Sequence, residues 1–189
     1  MRKHNALNAA LILLAAFIFV LGCSGGDQQA EVNKLVDQTN KKLEEAKDLL
    51  SKTETRYDTL SKGKVNNVAQ LHEYRGKMSG EAKSIIADYD KAIEMIKDVA
   101  KQYDEISRMK VVDKYKEYAK LKSDAFAKRA EAIGFRKANV QVFLDMDDLK
   151  AMAAKFDENN GKYTKMLQDA DDVAAKAKKI EDENKDIFK

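Results

Sequence analysis

Two hydrophobic patterns divide the chain. From Leu11 to Leu21 the residues are apolar without interruption. After Asp27 no such run recurs. Apolar and small residues return instead at alternating steps of four and three, the spacing of a heptad seam in which one narrow stripe of a helix faces a partner. The first seam holds Val32, Val36, Thr39, Leu43, Ala46, Leu50, Thr53, Tyr57 and Leu60. It predicts a helix over 27–60, roughly 50 Å long at about 1.5 Å per residue. Ser61-Lys62-Gly63-Lys64 ends it, with Gly63 expected as a left-handed cap. The second seam holds Val68, Leu71, Met78, Ala82, Ile85, Tyr89, Ala92, Ile96, Val99, Tyr103 and Ile106. Gly76 and Ser79-Gly80 weaken its start, where Ser79 could cap a new helix. The unbroken register predicts one kinked helix from Val65 to Arg108.

The third seam runs through Val112, Tyr115, Ala119, Phe126, Ile133, Val140 and Phe143, with Asp113 as a cap near its start and Gly134 as a kink. Asp145 then fits an N-cap, with Asp147 and Asp148 in a first turn where the helix dipole favours acids. The last seam holds Leu149, Met152, Phe156, Asn159, Tyr163, Met166, Ala170, Val173, Ala177, Ile180, Asn184 and Ile187. It passes through Asn159-Asn160-Gly161, which alone would signal a turn. The register predicts a weakened but continuous helix. Four helices of roughly 34 to 45 residues by this periodicity, joined by short connections, predict an all-α, elongated, antiparallel up-and-down four-helix bundle. The alternative is a spectrin-like three-helix bundle, with the break at Gly134 rather than near Asp145.

The apolar run has its own reading. Arg2 and Lys3 precede it, and Val20-Leu21-Gly22-Cys23 closes it. A transmembrane helix needs about 20 apolar residues, and this run is shorter. Its basic flank and small-residue exit fit a secretion signal. The closing tetrapeptide resembles the bacterial lipobox. That resemblance implies cleavage between Gly22 and Cys23, and diacylglycerol on the Cys23 sulfur. The expected layout is a signal peptide over 1–22, a lipidated cysteine and tether over 23–27, and a helical bundle over 28–189. The lipid would hold the protein to the cell membrane on its extracytoplasmic face, or to the outer membrane of a Gram-negative cell. Cys23 is the one cysteine, so packing alone must stabilise the exported part.

Composition narrows the partners. The chain carries 35 basic and 32 acidic residues. Without Arg2 and Lys3 the charges nearly cancel, which argues against nucleic acid, whose partners are usually strongly basic. With 35% charged residues and no proline, the composition is that of long helices or coiled coil.

Three features carry a family likeness. They are the lipobox followed at once by Lys/Glu-rich helices, the segment Tyr118-Ala119-Lys120-Leu121-Lys122-Ser123-Asp124 leading to Phe143-Leu144, and Lys162-Tyr163-Thr164-Lys165-Met166-Leu167 before the terminal Ile187-Phe188-Lys189. In these the chain resembles the YkyA-like cell-wall-binding lipoproteins of Gram-positive bacteria. The resemblance implies a four-helix bundle on the outer face of the membrane, in contact with the wall. It brings no catalytic residues.

Candidate chemistry is sparse. After signal removal His72 is the one histidine. A di-iron bundle wants Glu-x-x-His on two helices, and Ala69 stands where the glutamate would be. His72 is expected at the surface. Asp145, Asp147 and Asp148 could attract calcium, but Lys150 and Phe156 occupy the positions where an EF-hand needs glycine and glutamate, so they read as caps. Tyr57, Tyr89, Tyr103 and Tyr163 could line a ligand cleft, but their heptad positions read as core with hydroxyls at the rim. No metal and no cofactor are expected. The sequence points to a non-catalytic binding or structural module of the cell envelope. Its partner would be peptidoglycan, another envelope protein or a second copy, met through an apolar stripe such as Tyr74, Ile86, Ile93, Val111 and Tyr118. The alternative function is a carrier or sensor of a small apolar ligand.

Overall fold

The computed structural model describes residues 26–188, with side chains from residue 31. Leu11–Leu21, Gly22 and Cys23, on which the anchor reading rests, lie outside the described residues. Four helices follow: α1 (Gly26–Ser61), α2 (Val68–Arg108), α3 (Asp113–Asp145) and α4 (Leu149–Glu183). They are 36, 41, 33 and 35 residues long. No strand occurs among the described residues, and none of these helices is long and apolar enough to cross a membrane.

Partners across the helices give the topology. Lys42 of α1 pairs with Asp98 of α2 and Arg56 with Glu81, so the two run antiparallel. Lys120 and Lys137 of α3 reach back to Asp104 and Asp90 of α2. Arg129 of α3 meets Asp171 of α4, and Arg136 meets Asn160. This is the antiparallel up-and-down four-helix bundle. The three-helix alternative is set aside, because α3 continues through Gly134 and the chain reverses between Asp145 and Leu149. Consecutive helices pack against one another, while α1 and α4 have hardly any direct backbone contact. The bundle is therefore open along one side, and α3 is its central helix.

The seams account for the packing. Every predicted position of the first seam, from Val32 to Leu60, is buried. The polar pair Thr39 and Thr53 can sit there because each hydroxyl reaches the carbonyl of the residue four earlier, Leu35 or Leu49. Fully burying a Val or Leu is worth about 1.5–3 kcal/mol, so a continuous stripe of this length outweighs the weak helix propensity of its threonines. α2 runs unbroken through Gly76 and Gly80, starting at the Asn67 cap, whose side chain accepts from the Gln70 amide at 2.9 Å. α4 is likewise continuous through Asn159-Asn160-Gly161. Its apolar positions Met152, Phe156 and Val173 are only half-buried, as expected of a helix packed on one neighbour.

Several local expectations are corrected. α1 starts at Gly26, inside the stretch expected as tether. Gly63 is not a left-handed cap: no described glycine has positive φ. It is there because the Tyr74 ring leaves no room for a side chain; a Cβ would stand 2.3 Å from Tyr74 Cε1. Asp113 is the first residue of α3 and not its cap. Asp145 ends α3, and Asp148 caps α4 by accepting from the Lys150 and Ala151 amides at 2.9 and 3.0 Å. Val68 and Val112, assigned to seams, are exposed. The proposed outer stripe is not outside: Tyr118 is 1% exposed, and Tyr74, Ile86, Ile93 and Val111 are half-buried against the core.

Candidate functional site

Two ends of the bundle differ in chemistry. The far end gathers the C-termini of α1 and α3 and the N-termini of α2 and α4. Helix ends leave carbonyls without partners, and two adjacent residues of α2 satisfy them. Tyr74 donates its hydroxyl to the Leu60 carbonyl of α1 at 3.0 Å. Arg75 donates to the Phe143 carbonyl at 2.8 Å, to the Met146 carbonyl, and to the Asp147 carboxylate at 2.7 Å. His72 is at the surface as expected, with Nε2 3.0 Å from the same Asp147 oxygen. Hydrogen bonds from Arg75 and His72 hold the Asp147 carboxyl below its ordinary pKa. The three aspartates thus divide into a helix end, an ion-pair partner and a cap.

A cleft of about 340 Å³ opens between these helix ends. That is within the range of small-molecule sites, which favour the space between helices of bundles. Its walls are mainly apolar, with Leu60, Leu71, Tyr74, Val140, Phe143, Met152 and Phe156, and also carry Asp58 and Ser61. Its floor is polar, formed by Tyr57, Arg136, Asn139 and Asn160. The floor is one connected network. Asn139 Nδ2 donates to the Tyr57 hydroxyl at 3.1 Å and to Asn160 Oδ1 at 3.0 Å. Asn159 Nδ2 donates to Asn139 Oδ1 at 2.9 Å, and Arg136 Nη1 to Asn160 Oδ1 at 3.1 Å. The Arg136 guanidinium lies between the rings of Tyr57 and Tyr163, 5.0 and 4.2 Å from their centroids, and so ties α1 to α4 through α3.

Glu54 lies beneath this floor. Its carboxylate is 3.7 Å from Arg136 Nε and accepts the Tyr89 hydroxyl at 2.8 Å. Burial raises its pKa, and the opposing pull of Arg136 and Tyr89 does not cancel that; nearby Asp58 adds to the rise. Burial works most strongly against the Arg136 charge, but the Glu54 carboxylate, Tyr163 and Tyr57 together outweigh it, and the guanidinium stays protonated. Burial, reinforced by Glu54, likewise keeps the Tyr89 phenol protonated.

The other end holds a buried lysine. Lys122 is 3% exposed and its ammonium lies 5.5 to 5.7 Å from the ring centroids of Tyr118, Tyr103 and Phe126. Burial pushes its pKa down to about 7; Glu181 opposes this, while Arg129 and Lys178 add to it. Phe188, past the end of α4, packs on Tyr115 and Tyr118 with centroids 5.3 and 4.8 Å away. The hydroxyls of these two tyrosines are buried without a hydrogen-bond partner.

Of the tyrosines singled out in the sequence, all four are core residues. Tyr57 lines the cleft, Tyr163 flanks Arg136 and Tyr89 donates to Glu54, with the Tyr57 and Tyr89 rings edge to face at 6.3 Å. Tyr103 lies at the opposite end, stacked on Phe126 at 5.7 Å. Sequence reasoning missed Glu54, Arg136, Asn139, Asn160 and Lys122. A signal existed in α3, where Arg136, Asn139 or Val140, and Phe143 recur at helical spacing on one face. Fold and cleft together define the class: an all-α bundle with a ligand-sized, polar-floored cleft between helix ends. Comparison with known protein families, curated proteins and solved structures gives no match.

Proposed function

We propose that this protein is a membrane-anchored, extracytoplasmic, non-catalytic binding protein that holds a small apolar ligand at the outer tip of a helical rod. The observation that carries this reading is the cleft itself, with mainly apolar walls over a hydrogen-bonding floor. Its placement supports the reading. Tyr57 lies 31 residues beyond the start of α1, so the cleft stands about 45 Å from the end nearest Cys23. A diacylglyceryl group on Cys23 would hold the rod stably, since two acyl chains exceed the marginal grip of one. The cleft would then face outward, toward the wall if the family likeness holds. Docking on peptidoglycan or another protein through an apolar stripe is the weaker reading, because that stripe is packed against the core.

The charged residues of the cleft are Arg136, whose guanidinium pairs with Glu54 beneath the floor, and Asp58. Native mass spectrometry of the full chain extracted from membranes tests the proposal. The expected product starts at a Cys23 carrying diacylglycerol, and a fraction of it carries an apolar molecule of matching size. An unmodified thiol with Met1 intact would contradict the anchor, and apoprotein alone would contradict the carrier.

A further inference from the structure

The end opposite the cleft holds polar groups that nothing in the bundle uses. Lys122 Nζ makes no hydrogen bond among the described residues; three aromatic rings surround it instead, 5.5 to 5.7 Å away at their centroids. Tyr118 and Tyr115, one and two turns earlier on α3, bury hydroxyls that have no partner. Arg129, two turns later, gives Nη2 to Asp171 and leaves Nε and Nη1 buried and unmatched. Glu181 of α4 acts on Lys122, Tyr115 and Tyr118 through space, yet accepts a hydrogen bond from none of them among the described residues. Every unmatched group here can donate, and no acceptor answers them. Buried donors are normally satisfied, so a cluster of orphans calls for an acceptor that belongs there.

Two properties of Lys122 name that acceptor. Burial among apolar rings disfavours its charged form, so near neutral pH much of the amine is neutral and nucleophilic. With 3% of its surface exposed, only a very small electrophile can reach it. We infer that Lys122 is a reversible carboxylation site, taking carbon dioxide from solution as a carbamate whose oxygens accept from the unmatched hydroxyls of Tyr115 and Tyr118. The Nζ lone pair attacks the carbon, an N–C bond forms, and one C=O π pair moves onto oxygen. One N–H proton passes to solvent, and no other reactant is consumed. Carbon dioxide is small and apolar, so it enters a packed bundle without a channel. The product brings two acceptor oxygens to a site that has only donors to offer. It also brings a negative charge. Glu181 opposes that charge, while Arg129 and Lys178, which act on the same nitrogen, favour it. The site stands apart from the cleft and from the anchor, and rests on neither.

Trapping with triethyloxonium tests this, because it ethylates a carbamate to a stable product. The full chain in lipid nanodiscs is equilibrated with subsaturating isotope-labelled bicarbonate in mildly alkaline buffer, trapped and digested, and the peptides are mapped by mass. An ordinary lysine amine is almost wholly protonated there, so Lys122 is expected to carry the label at roughly tenfold or more the mean occupancy of the other lysines. Occupancy at Lys122 should fall in mildly acidic buffer, as the amine takes up its proton. Replacing both hydroxyls, with Tyr115→Phe and Tyr118→Phe together, keeps the rings and should lower occupancy roughly three- to tenfold. Circular dichroism of that variant confirms that the helices remain. The unsubstituted chain alone decides the site. No label on Lys122, or equal labelling of all lysines, would overturn the carboxylation site. Unchanged occupancy in the double variant would overturn the role given to the hydroxyls.

Discussion

At the scale of single residues, buried polar groups separate this bundle from a plain hydrophobic rod. Lys122 shows how. Its ammonium is desolvated among Tyr103, Tyr118 and Phe126, faced by Glu181, Arg129 and Lys178, and its pKa drops to about 7 from the ordinary 10.5. Between those two values the unfolded chain holds a proton that the folded chain has lost. Stability therefore rises with pH across that window, by up to about 1.4 kcal/mol per unit. Above about pH 10 the trend turns, because burial keeps Tyr103, Tyr115 and Tyr118 protonated in the fold after the unfolded chain has released those protons. Urea denaturation at pH 7 and pH 9 should show the rise, and Lys122→Met should be more stable at pH 7 and lack it. A flat profile in the unsubstituted protein would contradict the burial of a strained charge here.

At the scale of helices, sequence periodicity located the elements and their inner faces, because a heptad seam leaves its mark in every turn. The first seam is buried from end to end. α3 was harder to read. As the central helix it buries Tyr118, Lys122, Arg129, Ala132 and Asn139 beyond its predicted stripe, so its pattern is no longer a single face. The cleft was illegible for a related reason. It is made where four helix ends meet, and no single element carries it. Asn159-Asn160-Gly161 shows the same limit: the turn signal fails because both asparagine side chains bond across to α3. Two glycines separate packing from propensity. A Cβ at Gly161 would meet nothing within 4 Å, so Gly161→Ala should stabilise by about 0.5–1 kcal/mol. Gly63→Ala should destabilise, because the Tyr74 ring would have to leave the Leu60 carbonyl it caps. Thermal unfolding of both variants measures the opposite signs; a shared sign would contradict the close approach at Gly63.

At the scale of the whole molecule, the open side is the distinguishing feature. α3 is flanked by α2 and α4 and reached by α1 through Tyr57, Glu54 and Arg136, whereas α1 and α4 scarcely meet. Buried, well-packed helices resist local opening. Hydrogen exchange followed by mass spectrometry should be slowest in α3 and faster in α1 and α4; uniform protection would indicate a closed bundle. The measurement that bears most directly on the proposed role is an amide NMR titration of the isotope-labelled full chain in nanodiscs with octane as a small apolar probe. The account predicts shifts confined to the far tip, around Tyr57 to Ser61, Arg136 to Phe143 and Met152 to Asn160. Shifts around Tyr103, Lys122 and Phe188, or none anywhere, would contradict it.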